Sequence, residues 1–442
     1  MIGRKTRITA ANLPRSVTSG AICFAGLLSF MITVYEVRIH NINNYLGGVF
    51  CALGLAIPII ILEYLFLKTF RKPSTGLDFS RKNKISVKRV MIKLLGLYAT
   101  LMLVAAYYWV FPVYHNDYYV PYWVLAKAVL VIILILSIPY FFILDRFLVE
   151  PEESYWKVGM IVLGKWKEIN ADGLKSHFLG WLVKAFFLPL MFVSLSGNIG
   201  VIKQNPLNQV MSNFDFSIFY NYTLNYIFTI DLVFVTVGYL LTLRIFDSHI
   251  RSVEPSFLGW YVALQCYQPF WGMLSGSYYA YDDGYFWGDW LWNYEHMYVL
   301  WGSIILILMS IYTWASLYFG IRFSNLTHRG IITNGPYRLM RHPAYVSKNL
   351  AWWFISIPFI SHESVFAAVN HCLLLLFLNI IYFLRAKTEE RHLSADPVYV
   401  KYATTMNHIG IFRGLYKIFP FLKYDPDRLV FKKWKINYSW QK

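Results

Sequence analysis

"LGGVFCALGLAIPIIILEYLFLKTFRKPSTGLDFSRKNKISVKR", residues 46–89, sets an apolar run directly against a loop dense in lysine and arginine. The apolar part, 46–67, is long enough as a helix to cross a hydrocarbon layer of about 30 Å. A second apolar run, 90–112, follows the loop. Span, cationic loop and span form the repeating unit of a multi-pass membrane protein, and the rest of the chain repeats it. The composition agrees: of 442 residues 57% are hydrophobic and only 15% charged, whereas soluble domains carry about a quarter charged. The net charge of +17 is then expected in loops facing the cytoplasm rather than read as a nucleic-acid signal, and no nucleic-acid partner is expected.

Ten spans are predicted, at 18–37, 46–67, 90–112, 122–145, 177–199, 222–243, 256–275, 296–320, 345–361 and 364–385. Lys and Arg crowd the loops after the even-numbered spans: 68–89, 146–175, Arg244 and Arg251, then Arg322, Arg329, Arg338 and Arg341, and finally the tail beyond 385. The opposite loops, "PVYHNDYYV", 200–221 and "GSYYAYDDGYFWGDWLWNYE", are nearly free of them. The alternation predicts an all-α polytopic transmembrane bundle with both termini cytoplasmic. No small-residue cleavage pattern follows "FMITVYEV", so the first helix is expected to be retained. Cys23, Cys51, Cys266 and Cys372 fall inside apolar runs without a CxxC pair and read as small buried hydrophobes rather than zinc ligands or disulfides. Asp231 and His371 are ionisable groups inside spans; Asp231 is read as the partner in a hydrogen bond between helices, and Lys127 and Lys184 as near enough to ends to snorkel. The aromatic, acidic segment 276–295 reads as an interfacial belt.

One stretch carries chemistry. In "NGPYRLMRHPAY", residues 334–345, Gly335 and Pro336 break the chain, and Pro343 suits the first turn of a new helix, where its missing N–H has no partner to lose. Such a helix start offers free N–H groups and partial positive charge, with Arg341 and His342 beside it. The next two spans are joined only by "SHES" and must form an antiparallel hairpin. That hairpin returns "LRAKTEERHLSADPVYVKYA" to the membrane surface from which it began. At helical spacing Arg385, Glu389 and His392 share a face, with Glu390 turned about 100° away. Tyr399 and Tyr402 follow one turn apart.

"GPYRLMRHPAY", a hairpin, "RAKTEERHL" and "YVKY" in this order resemble the isoprenylcysteine carboxyl methyltransferase family and its phospholipid-methyltransferase relatives. The resemblance covers roughly 325–412, and Ser347 stands where the family often has glycine. It implies an S-adenosylmethionine-dependent methyltransferase acting on a membrane lipid or lipid-attached acceptor, with a carboxylate foremost. It implies Tyr337, Arg341, His342, Pro343, Tyr345, Glu390, Tyr399 and Tyr402 as cofactor-binding residues, and Arg385 and Glu389 as catalytic, with no metal. The expected organisation is an N-terminal bundle over 1–290, a catalytic region over 291–424 and a basic tail over 425–442. The setting is a bacterial inner membrane or the endoplasmic reticulum. Two other readings stand beside it. Sterol-reductase-type enzymes, which bind NADPH, share the span count and an Arg- and His-rich C-terminal half but not the paired glutamates. A lipid-binding or transport protein would use the scaffold without chemistry.

Overall fold

The structure, a computed structural model, describes residues 9–81, 83–204, 214–273 and 280–429. The first basic residues Arg4, Lys5 and Arg7, position Lys82, parts of the 200–221 and 276–295 loops and the tail from 430 onward lie outside the described residues.

Helices α1 (Gly20–Ile39), α2 (Asn44–Leu62, extended by a wider turn over Glu63–Leu67), α3 (Val87–Val110), α4 (Val120–Phe147), α6 (Leu174–Gln204), α7 (Phe216–Leu240), α11 (Glu295–Leu317) and α13 (Val365–Leu393) are each long and apolar enough to cross a membrane. Shorter helices intervene: α5 (Ser154–Val162), α8 (Phe257–Leu264), α9 (Phe270–Met273), α10 (Trp287–Leu291), α12 (Pro343–Ser356) and α14 (Pro397–Ile409). The chain is thus an all-α membrane bundle. Its two expected spans over 256–275 and 345–361 take a different form from the other eight. The first is split into α8 and α9. The second is α12, whose 14 residues rise only about 21 Å at 1.5 Å per residue. Broken backbone at membrane depth is tolerated where it borders protein or a cavity, and both pieces border the cleft described below.

Local sequence starts these helices. Ser86, Asp215, Ser256, Ser364 and Asp396 each accept a first-turn N–H at the N-terminus of α3, α7, α8, α13 and α14. Proline opens α12 and α14. The largest apolar core joins α1, α2, α6 and α7 to the end of α11, through Phe30, Leu55, Phe192, Phe234 and Leu317 among others. A second joins α11 and the following loop to α14 through Ala315, Ile332, Tyr337, Tyr402 and Met406.

The basic loops converge on one end of the bundle. A short antiparallel ribbon pairs β1 (Ser252–Val253) with β2 (Thr327–His328). Leu77 bridges to Leu148, and Arg244 reaches both Thr75 O (3.1 Å) and Glu153 (3.1 Å). The described beginning of the chain is there too: Val17 N donates to Ile331 O at 3.1 Å, and Lys72 Nζ to Val17 O at 2.7 Å.

Two of the arginines assigned to an open loop are instead buried keystones. Arg322 forks onto Glu63, Nη1 to Oε1 at 2.7 Å and Nη2 to Oε2 at 2.9 Å. Arg329 donates to the carbonyls of Gly238 (2.6 Å), Leu241 (2.7 Å), Phe323 (3.2 Å) and Ile321 (3.2 Å), and to that of Ser248. At the C-terminal end of α7 no side chain fits at Gly238: a Cβ there would collide with the Phe323 carbonyl. The helix end and the 321–329 loop are therefore in direct backbone contact, and Arg329 satisfies the carbonyls left over.

At the opposite end Asp283 accepts from Ser361 Oγ (3.1 Å) and His362 N (3.0 Å), tying the acidic, aromatic loop to the α12–α13 turn. Asp231 receives Tyr312 OH at 2.7 Å, the expected bond between helices. Lys184 lies 3.3 Å from the Trp181 ring centroid. All four cysteines are free, Cys23 and Cys51 buried.

Candidate functional site

The turn before α12 is built for close packing. Gly335 has φ +56°, and the Tyr318 ring occupies the space a Cβ would need, 2.5 Å away. His342 then precedes Pro343, the first residue of α12. The hairpin carries α13 back beside this start, held by Trp353 Nε1 to Asn379 Oδ1 (2.8 Å) and Asn379 Nδ2 to Asn349 Oδ1 (2.8 Å). The Arg-His-Pro segment and the Glu-Glu segment therefore meet.

They meet in two layers. In the outer layer Glu390 gathers three side chains: His342 Nε2 at 3.1 Å, Arg341 Nε at 3.1 Å and Lys387 Nζ at 2.9 Å. Arg341 is fully committed, since Nη1 donates to Asn407 Oδ1 (2.9 Å) and Nη2 to Leu422 O (2.6 Å). Arg341, Lys387 and the His342 imidazole around one carboxylate make a closed cluster that fastens α12, α13, α14 and the 422–424 segment together.

The inner layer faces a cleft. Its wall includes Glu254, Tyr267, Tyr312, Asn325, Tyr337, Arg341, His342, Tyr345, Lys348, Tyr382, Arg385, Glu389 and His392. Its empty volume, open mouth included, is about 1010 Å³. Arg385, Glu389 and His392 all line it, as the shared helical face requires, and Glu390 does not. Glu389 Oε2 accepts from Tyr345 OH at 2.8 Å. Arg385 Nη2 donates to Asn325 Oδ1 at 2.5 Å and to Tyr267 OH at 3.4 Å, and its guanidinium lies 5.4 and 5.2 Å from the Tyr267 and Tyr345 ring centroids. Asn325 is fixed in turn by Tyr239 OH, 2.9 Å from its Nδ2. Among the described residues neither Glu389 nor Arg385 has an ion-pair partner, although they are one helical turn apart.

The remaining expected residues sit behind the cleft. Tyr399 and Tyr402 belong to the α11–α14 core and do not line the cavity. Tyr402 OH donates to Tyr337 O at 2.8 Å. Burial keeps both phenols protonated, raising Tyr399 and Tyr402 well above the usual tyrosine range, with Glu390 adding to the effect at each. Pro343 contributes backbone geometry only. At the ribbon end of the cleft Ser252 Oγ and His392 Nε2 lie 2.9 Å apart, and His328 and Asp396 3.2 Å. Burial depresses His328 against the pull of Asp396. Burial, the largest single effect, would raise Asp396, but His328, the Val398 N–H and Arg251 together hold the carboxyl below its ordinary range.

Sequence reasoning passed over Tyr267, Asn325, Lys348 and Glu63. Lys348 and Glu63 carry the signal that singled out Asp231, a charge inside an apolar run. Asn325 and Tyr267 carry no such signal, because only the folded loop brings them to Arg385.

Residues 297–395 match the model of the isoprenylcysteine carboxyl methyltransferase (ICMT) family. No curated protein and no solved structure matches the chain. The matched range holds the α12 start, the hairpin and both glutamates; it ends before Tyr399 and Tyr402. With eight helices among the described residues long and apolar enough to cross a membrane, this is a multi-pass membrane protein whose residues 297–395 are similar to the isoprenylcysteine carboxyl methyltransferase family.

Proposed function

We propose that the protein transfers a methyl group from S-adenosylmethionine to a lipidic or lipid-attached carboxylate, at the cationic end of the bundle, which faces the cytoplasm. The observation that carries this reading is the split between the two glutamates and the two arginines. Glu390 and Arg341 neutralise each other, while Glu389 and Arg385 face the cleft with opposite charges and no ion-pair partner among the described residues. A site that presents both an open anion and an open cation suits a ligand set with complementary charges.

The residues fit the cofactor. Glu389 would hold its amino group, and the free N–H groups at the start of α12 its carboxylate. The faces of Tyr267, Tyr345 and Tyr382 suit a sulfonium or an adenine ring. When bound, the cofactor supplies an electrophilic methyl group on sulfur. Arg385 would orient the acceptor carboxylate, and Asn325 and Tyr267 keep that guanidinium in place. A carboxylate arrives deprotonated, so the protein has to align and desolvate it rather than remove a proton. The aromatic lining excludes water, and Gly259 and Ala263 of α8 complete the wall beside Tyr267.

The test is calorimetric titration of S-adenosylmethionine into the protein in detergent, beside radiolabelled methyl transfer to extracted membrane lipids. Glu389→Gln should weaken cofactor binding roughly ten- to a hundredfold, the scale of one lost charge-assisted hydrogen bond. Arg385→Ala should keep binding and lose turnover. Wild-type protein that binds NADPH and ignores S-adenosylmethionine would replace the proposal with a reductase.

A further inference from the structure

We infer that Lys348 is a second acceptor-binding cation, holding the anionic group of the acceptor from the membrane-ward floor of the cleft together with Arg385. The inference rests on the methyltransferase reading and deepens it. Lys348 lies five residues beyond Pro343, about 7.5 Å further along α12 at 1.5 Å per residue. It lines the same cleft as Arg385 and Glu389. Its Nζ is 5.3 Å from the Tyr312 ring centroid, 5.3 Å from that of Trp352 and 6.0 Å from that of Tyr382. Among the described residues it has no hydrogen-bond or ion-pair partner.

A lysine kept only for structure in a membrane bundle snorkels to the headgroups or pairs with an acid. Lys348 does neither. The acid on the neighbouring helix, Asp231, is screened from direct pairing: its Oδ2 takes Tyr312 OH at 2.7 Å, and its Oδ1 is buried with no partner among the described residues. Asp231 therefore supplies negative potential behind Tyr312 without occupying the ammonium. Arg385 stands on the same wall. Its guanidinium is 5.2 Å from the Tyr345 centroid, and the Tyr345 and Tyr382 rings are 5.9 Å apart, so the two cations flank one pair of tyrosines.

Two cations set in aromatic rings, neither with a direct ion-pair partner among the described residues, define the chemical class of the missing partner. It is an anionic amphiphile: a carboxylate whose two oxygens can take one donor each, on a hydrocarbon body that packs on Tyr312, Trp352 and Tyr382. Each oxygen keeps a lone pair for bond formation. A neutral lipid would leave both cations desolvated and unpaired, so the site discriminates acid from ester. The methylated product loses the charge that held it, which favours its release into the membrane.

The test uses full-length protein in nanodiscs and a diazirine-bearing long-chain fatty acid as photolabel, with its methyl ester as the neutral control. Wild type should label with the acid in preference to the ester. Lys348→Met should weaken acid labelling roughly ten- to a hundredfold, Lys348→Arg should restore it to within a few-fold, and both should bind S-adenosylmethionine as wild type does. Equal labelling of wild type by acid and ester, or unchanged acid labelling of Lys348→Met, overturns the assignment. So does a loss of cofactor binding in Lys348→Met, which would move the lysine to the cofactor's side. If Lys348→Met does not assemble as a monodisperse protein, Lys348→Gln takes its place under the same criteria. Failure of wild type to bind S-adenosylmethionine strikes the methyltransferase reading instead, and is read in a separate titration.

Discussion

Glu63 and Arg322, 259 positions apart, form a two-pronged ion pair with both side chains 1% exposed. It joins the end of the second helix to the loop after α11. Removing one partner leaves the other buried without counter-charge. Glu63→Gln should therefore destabilise the protein by about 3–5 kcal/mol, whereas Glu63→Gln combined with Arg322→Met should recover much of the loss. Unfolding in detergent, followed by circular dichroism for the two single variants and the double variant, measures the difference.

The neighbouring glutamates should separate binding from stability. Glu390→Gln unbalances Arg341, His342 and Lys387 at once, and should lower the unfolding temperature clearly. Glu389→Gln loses one tyrosine hydrogen bond and should leave that temperature within a degree or two of wild type while weakening the cofactor. Parallel thermal shift and titration would show the reverse if the roles were exchanged.

Asn325 is a positioning residue for Arg385. Asn325→Leu should leave cofactor affinity unchanged and lower kcat by about tenfold or more, because the guanidinium is freed to tilt. Asn325→Asp tests the same point from the other side: it pairs with Arg385 and removes the open cation, so KM for an acidic acceptor should rise.

His249 sets an acid limit on the fold. Burial depresses it well below its ordinary value, and the nearby Arg244, Arg251, Arg329 and Arg322 push the same way. The unfolded chain binds this proton near pH 6.5 and the folded chain does not. Stability from this group is thus complete above pH 6.5 and is lost as pH falls below it toward the folded value. Unfolding midpoints between pH 7.5 and 5 should decline more steeply for wild type than for His249→Gln.

Topology is open to chemical labelling. In a background with the four cysteines changed to alanine, Glu363→Cys lies at the exposed α12–α13 turn and Ser80→Cys in an exposed basic loop. An impermeant maleimide added outside intact cells should label position 363 and spare position 80. The opposite pattern would put the cleft mouth on the side where S-adenosylmethionine is scarce.

Much of this was legible because membrane physics is blunt. Apolar length and the Lys/Arg alternation located the eight long helices, and the hairpin between "SHES" neighbours brought His342 to Glu390. Helical spacing alone sorted Arg385, Glu389 and His392 from Glu390. Hydropathy counts apolar residues without seeing the helix break: 256–275 is apolar enough for a span but is split into α8 and α9. Nor does composition tell a loop arginine from a buried one. Arg322 and Arg329 looked like topology signals, yet their partners are a distant glutamate and a set of carbonyls that exist only after folding. Tyr399 and Tyr402 have the right spacing, but the face they share turns into the core rather than the cleft.

The carbonyls gathered by Arg329 and the fork on Arg322 make the two halves of the chain electrically incomplete without each other. A fragment beginning at residue 291 would keep the whole family-matched segment. It would also carry two guanidiniums stripped of Glu63 and of the 238–248 carbonyls that hold them. The family-matched segment therefore cannot simply be cut free from its larger neighbour: the N-terminal helices supply its counter-ion and the acceptors for its guanidiniums.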